Sequence, residues 1–214
     1  MVWAAIGHQL RHPRGWAGRL VGHLMALVNH RPNRLAITAL AIRPEDHVLD
    51  LGCGPGAAVA LMARQAQVTG IDQSRTMLAQ ARRRNRKAIE AGRVVLLHSR
   101  FERLPLADGA VDRILAVNVA YFWAEPAAVL SEARRVLKDD GLLAVYVTDA
   151  AAMRRWKFAG HDTHRLFDAE SLAAVLAEGG FALRSLAEMR VGPRLTGLVA
   201  VCAKPSPSRP EEIA

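Results

Sequence analysis

At 214 residues, 51% apolar and 23% charged, the chain has the size and balance of one globular domain that buries a core without staples. Two cysteines far apart, Cys53 and Cys202, provide no disulfide framework, and no apolar run approaches the length of a membrane span. The net charge of +9 brings polyanion binding into question, because a basic balance attracts nucleic acid.

The N-terminus has no basic head, long apolar core or small-residue cleavage site, so no signal peptide is expected and a cytoplasmic location is. Trp3, Ile6 and Leu10 keep helical spacing until Pro13 and Gly15 break it. Trp16, Leu20, Leu24 and Leu27 form a second stripe, and Pro32 opens a third helix through Leu40. Residues 1–44 are read as a helical cap or lid over a pocket. Extra packing on a sheet and a dimer contact fit the same stripes.

From residue 45 to 204 strands alternate with helices, which argues for a parallel sheet built of βαβ units. Strands are expected at 47–50, 68–72, 94–98, 111–117 and 142–147, with a turn at Asp139-Asp140-Gly141. A helix follows the first strand over 56–65, and Ser74 caps a second, arginine-rich helix. Pro126 opens a helix through Leu137, and Asp168 caps another that ends at Gly179-Gly180. Strands over 181–189 and 195–203, joined by a Gly192-Pro193 turn, close the domain. Residues 205–214, rich in proline and charge, are expected to be a flexible tail.

The chemistry concentrates where the first strand ends. Asp50-Leu51-Gly52-Cys53-Gly54-Pro55-Gly56 places glycine at every second position, and Asp72 ends the next strand. Glycine allows a sharp turn and close approach of a ligand, and the helix that follows presents unpaired N–H groups. An acid at the end of the second strand is where nucleotide binders hold ribose hydroxyls. The spacing differs from the dinucleotide fingerprint G-x-G-x-x-G. Asp50 would repel a pyrophosphate and suits a ligand carrying an ammonium group.

These residues resemble the first motif, (D/E)-x-G-x-G-x-G, of the class I S-adenosylmethionine-dependent methyltransferases, and the small-molecule, ubiquinone/menaquinone-type enzymes are similar over the same stretches. Three further segments fit the family's order: Glu102 to Asp112, Glu132 to Gly141 and Gly180-Phe181. The resemblance implies a Rossmann-like α/β fold, a seven-stranded, mostly parallel sheet with helices on both faces and strand order 3-2-1-4-5-7-6. It implies S-adenosylmethionine as cofactor, with Asp50, Gly52, Cys53, Gly54, Gly56, Asp72, Gln73, Phe101, Glu102 and Asn118 around it. Backbone N–H groups of the glycine turn and the helix start would hold polar atoms of the ligand, and Asp72 would accept both ribose hydroxyls. One position departs from the pattern. Where the family often has an acid that accepts the adenine amino group, this chain has Arg100, which carries donors only. Phe101 and Ser99 are the neighbours able to replace that contact.

Tyr121, Phe122 and Trp123 follow Asn118 beyond the fourth strand, where open α/β sheets bind ligands, and with Tyr146 they are the candidates for a substrate pocket. Candidates for a catalytic base are His161, His164, Tyr121 and Asp149, although either histidine fits a packing loop equally well. No metal-site spacing occurs. The expected activity is in-line methyl transfer to a small-molecule acceptor, driven mainly by proximity and orientation. Two alternatives stay open. Between Arg75 and Arg103 nine cations face only Glu90 and Glu102, which suits a nucleic-acid methyltransferase, and Arg100 suits a non-catalytic cofactor-binding partner. The expected assembly is a monomer or homodimer.

Overall fold

The computed structural model describes residues 27–154, 165–192 and 195–205. The first two N-terminal stripes up to Leu24, His161, His164, Pro193 and the tail beyond Pro205 lie outside them.

Seven strands form one sheet: β1 (His47–Leu51), β2 (Gln67–Asp72), β3 (Val94–His98), β4 (Val111–Val117), β5 (Leu137–Thr148), β6 (Ala182–Gly192) and β7 (Leu195–Ala203). Their order is β3-β2-β1-β4-β5-β7-β6, as the family resemblance implies. The first five run parallel, and β7 is antiparallel to both its neighbours. Order reverses at β1, from which the chain goes outward to β2 and β3 and returns to β4. That reversal opens the crevice in which such sheets bind ligands.

Helices cover both faces because the inner strands are apolar on both sides. Leu49, Ile114, Ala116 and Val145 point toward α5 (Pro126–Val136) and α7 (Ala169–Glu178). Val48, Leu115, Val117, Ala144 and Tyr146 point the other way, toward α1 (His30–Leu40), α2 (Ala57–Met62) and α3 (Arg75–Arg84). α1 buries Ala36 and Leu40 at helical spacing. It packs on β4, β5, β7 and α2, so this last part of the expected cap lies on a sheet face.

Local chemistry sets the boundaries. Ser74 Oγ accepts from the Met77 amide at 3.3 Å to start α3, and Asp168 with Ser171 forms a reciprocal capping box for α7. The expected single arginine-rich helix is two: α3 stops at Asn85 and α4 (Arg86–Glu90) begins beyond it. Asn85 is buried, and its carboxamide donates to the carbonyls of Gly56 (3.0 Å) and Ala81 (2.9 Å), which interrupts the helical register. The helix expected over 56–65 is shorter, Ala57–Met62. The expected turn at Asp139–Gly141 lies within β5, where the four residues between Leu137 and Leu142 oppose the single Asp112 between Val111 and Arg113 of β4. Lys138 Nζ donates to Asp112 there at 2.6 Å and holds this bulge to the neighbouring strand.

Candidate functional site

A cavity of about 400 Å³ opens at the carboxyl ends of β1, β2 and β4. Ligand sites span roughly 300–1,000 Å³, so it accommodates a nucleoside-sized ligand.

One wall is the glycine turn. Gly52 and Gly56 both have positive φ (83° and 74°), and a Cβ on either would collide, with Val119 at 2.5 Å or with Asn85 and Ala81 at 2.6–2.9 Å. No other residue type fits there. The turn's amides are already engaged within the chain. Gly52 and Cys53 N–H donate to Ile71 O (2.8 and 2.9 Å), Gly56 N–H to Cys53 O (2.9 Å) and Gly54 N–H to Asp72 Oδ2 (2.8 Å). Of the N–H groups expected to hold the ligand, those of the turn are thus engaged within the chain, while Ala57 and Ala58 at the helix start line the cavity. The engaged amides brace the turn and orient Asp72, whose other oxygen accepts from the Ser74 amide at 2.7 Å.

The two acids differ in electrostatics. Burial pushes the Asp72 carboxyl upward, while the Ser74 and Gly54 amides pull it back. Asp50 has no such help. It is 2% exposed, its Oδ2 has no hydrogen-bond partner among the described residues, and it shares the cavity with Asp72. Burial first, then the Asp72 charge, raises Asp50 to about 7. A buried carboxylate without a partner calls for a cation in the cavity. Cys53 beside it is buried, and burial raises its thiol well above the ordinary range, so it is an apolar wall and no nucleophile.

Of the residues read from the sequence, Asp50, Gly52, Cys53, Gly54, Asp72 and Gln73 line the cavity on the β1–β2 side. Phe101, Glu102 and Arg100 line it beyond β3, with Arg100 paired to Glu102 at 3.3 Å, and Asn118 and Phe122 line it beyond β4. Gly56 does not line it and acts through the turn's geometry. Ser99 faces away, its hydroxyl donating to Arg103 O at 2.8 Å.

Three aromatic candidates sit behind the wall. Trp123 is 4% exposed and Tyr146 fully buried against Gly197. Tyr121 is buried too, and its hydroxyl bonds the Asn118 carboxamide oxygen (2.9 Å) and the Thr148 backbone. Burial raises both tyrosine hydroxyls further from neutrality, and neither lines the cavity. Asp149 also stands off the cavity: it caps α6 (Ala150–Met153), accepting from the Ala151 amide at 2.8 Å. Among the described residues no His/Cys/Asp/Glu group could hold a metal, and no helix is long and apolar enough to cross a membrane.

The sequence reading missed Asn29 and Asn33, which precede and open α1 and line the same cavity as Asp50. Asn118 adopts a left-handed conformation (φ 52°), tolerable for asparagine, and its Nδ2 donates to Asn29 Oδ1 at 2.9 Å. The only prior hint was polarity near the start of a predicted helix. Contact across 89 residues leaves no local pattern.

A methyltransferase domain family matches residues 49–145. An uncharacterized methyltransferase, YdaC, of Bacillus subtilis is 30% identical over 129 residues, 59% of this chain and 69% of that protein. A malonyl-[acyl-carrier protein] O-methyltransferase of Geobacter sulfurreducens is 32% identical over 149 residues, covering 63% of this chain and 55% of the relative. Of that enzyme and two other curated relatives the chain spans 55%, 31% and 50% of the length. A putative Haloferax volcanii methyltransferase, solved in complex with the Trm112 methyltransferase activator, superposes with a TM-score of 0.76 at 18% identity, covering 89% of this chain and 96% of that one.

Proposed function

We propose that this chain, which belongs to the class I S-adenosylmethionine-dependent methyltransferase family, binds S-adenosylmethionine in the 400 Å³ cavity and methylates a small-molecule acceptor. The observation that carries the reading is Asp50: a buried carboxylate, one oxygen of which has no partner among the described residues, lining a cavity whose other acid is already oriented. A ligand with an ammonium group and a vicinal diol satisfies both.

The residues divide the work. Asp50 holds the ammonium, and its ionised form is recovered when that charge arrives. Asp72 keeps lone pairs free for ribose hydroxyls, since an ionised carboxylate accepts about four hydrogen bonds and two are used. Phe101 and Met77 supply apolar surface for the adenine, and Arg100 leaves the adenine amino group to another acceptor. When bound, the cofactor supplies an activated sulfonium methyl group. Val117, Val119, Phe122 and Ala124 form an apolar wall on the β4 side that shields the transfer from water. Among the described residues that wall has no titratable base, which favours alignment over proton abstraction as the main contribution of the protein.

The malonyl-carrier relatives make a carboxylate acceptor the first class to try. The test is calorimetric titration with S-adenosylmethionine, then mass detection of S-adenosylhomocysteine formed with panels of carboxylates, phenols, amines and thiols. Donor binding with turnover on one class is the expected result. Absence of donor binding would remove the enzyme reading. The exposed arginines of α3 and α4 favour a second reading, an RNA acceptor, which predicts steeply salt-dependent binding of a homopolymer RNA.

A further inference from the structure

The two sides of the cavity offer unlike chemistry to a zwitterionic ligand end. β2 and β3 lie on one side of β1, with Asp72, Gln73 and Phe101; β4 and α1 lie on the other, with Asn118, Asn29 and Asn33. A ligand with its ribose at Asp72 directs its amino-acid end toward β4 and α1. That end carries an ammonium and a carboxylate. Asp50 takes the first, but a carboxylate is repelled by Asp50 and Asp72 and must find donors elsewhere.

The glycine turn cannot supply them. Its amides at Gly52, Cys53, Gly54 and Gly56 are engaged, and Pro55 has no N–H. Besides the first amides of the six-residue α2, neutral donors lining the cavity are the Gln73 carboxamide on the β2 side and, on the side away from Asp72, the carboxamides of Asn29 and Asn33 at the start of α1. Asn33 is 5% exposed, lines the cavity, and makes no side-chain hydrogen bond among the described residues. Its carboxamide is therefore available to a ligand oxygen that enters the cavity. Asn29 commits its oxygen to Asn118, which leaves its NH₂ as a donor beside Asn33.

We propose that Asn33, assisted by Asn29, binds the carboxylate of the donor's amino-acid end and sets the preference for donors that carry it. This rests on the donor reading above. It makes α1 part of the binding site, because Asn29 also ties α1 to Asn118 beyond β4.

The test compares S-adenosylmethionine with its decarboxylated analogue by calorimetry. The wild-type chain should prefer the carboxylated donor by about tenfold or more, a gap of one to two charged hydrogen bonds. Asn33→Ala should shrink that preference to under about threefold while leaving affinity for the analogue within about twofold. Asn33→Asp, nearly the same shape, should reduce or invert it by charge repulsion, and Asn33→Gln should retain part of it. Equal losses for both donors in Asn33→Ala would show a purely structural role and overturn the proposal, as would an unchanged ratio. A wild-type protein that binds neither donor overturns the donor reading itself, and a wild type that binds both equally overturns only the carboxylate assignment.

Discussion

The two walls of the cavity are built by opposite means. The β1–β2 wall runs from Asp50 through the glycine turn to Asp72 within one short stretch of chain, and its polar groups are acids, of which Asp72 is held by main-chain amides. The β4–α1 wall joins Asn118 to Asn29 through 2.9 Å side-chain contact, and its polar groups are neutral carboxamides. The first wall is braced by local backbone geometry. The second depends on how a helix docks on a sheet face. Cation-seeking chemistry thus sits on the rigid side, and anion-accepting, acceptor-facing chemistry on the side assembled by packing.

Breaking the first wall should have the largest effect. Asp72→Ala removes the expected ribose acceptor and orphans the Gly54 and Ser74 amides, so donor affinity measured by calorimetry should fall about 100-fold. Next comes Gly56→Ala, where the added Cβ meets Asn85 and Ala81 in a left-handed backbone; urea denaturation should show a loss of about 2 kcal/mol.

Asp50→Asn sharpens the comparison through pH. The folded pKa of about 7 stands above the ordinary value of 3.8, so the empty protein loses stability as pH rises through that interval and no more above it. Donor binding recovers the ionised form, so wild-type affinity should strengthen up to about pH 7 and then level. Asp50→Asn should weaken binding about tenfold at pH 8, flatten that profile, and raise the thermal midpoint of the empty protein near pH 8. A pH-independent wild-type affinity would contradict this role for Asp50.

On the second wall, Asn118→Ala loses the bonds to Asn29 and Tyr121 and keeps a positive φ; the expected cost is about 1 kcal/mol by chemical denaturation. The smallest change is expected from Cys53→Ala. The neutral thiol makes only a weak 3.9 Å contact to Gly54 O, so donor affinity should move by less than about twofold.

Much of the first wall was legible in the chain because its causes are local. Glycines demanded by positive φ, an acid before them and an acid sixteen residues after them leave a readable spacing. The roles of the turn's amides were not legible, since only the paired strands reveal that Ile71 O and Asp72 consume them. The same contrast holds in the fold. Ser74 and Asp168 announced their helices by capping chemistry, whereas the break at Asn85 required the approach of Gly56. Aromatic density beyond β4 suggested a pocket, yet Tyr121 and Trp123 turn into the core and Phe122 alone of the three lines the cavity.

The amino-acid sequence by itself determined the strand and helix alternation, the glycine turn and the two acids. Each of these follows from backbone conformation or side-chain chemistry within a few residues. The tertiary structure alone decided that Asn29 and Asn33 line one cavity with Asp50 and that one Asp50 oxygen stands without a partner among the described residues. Burial and contact between distant segments are properties of packing, and packing leaves no periodic trace along the chain.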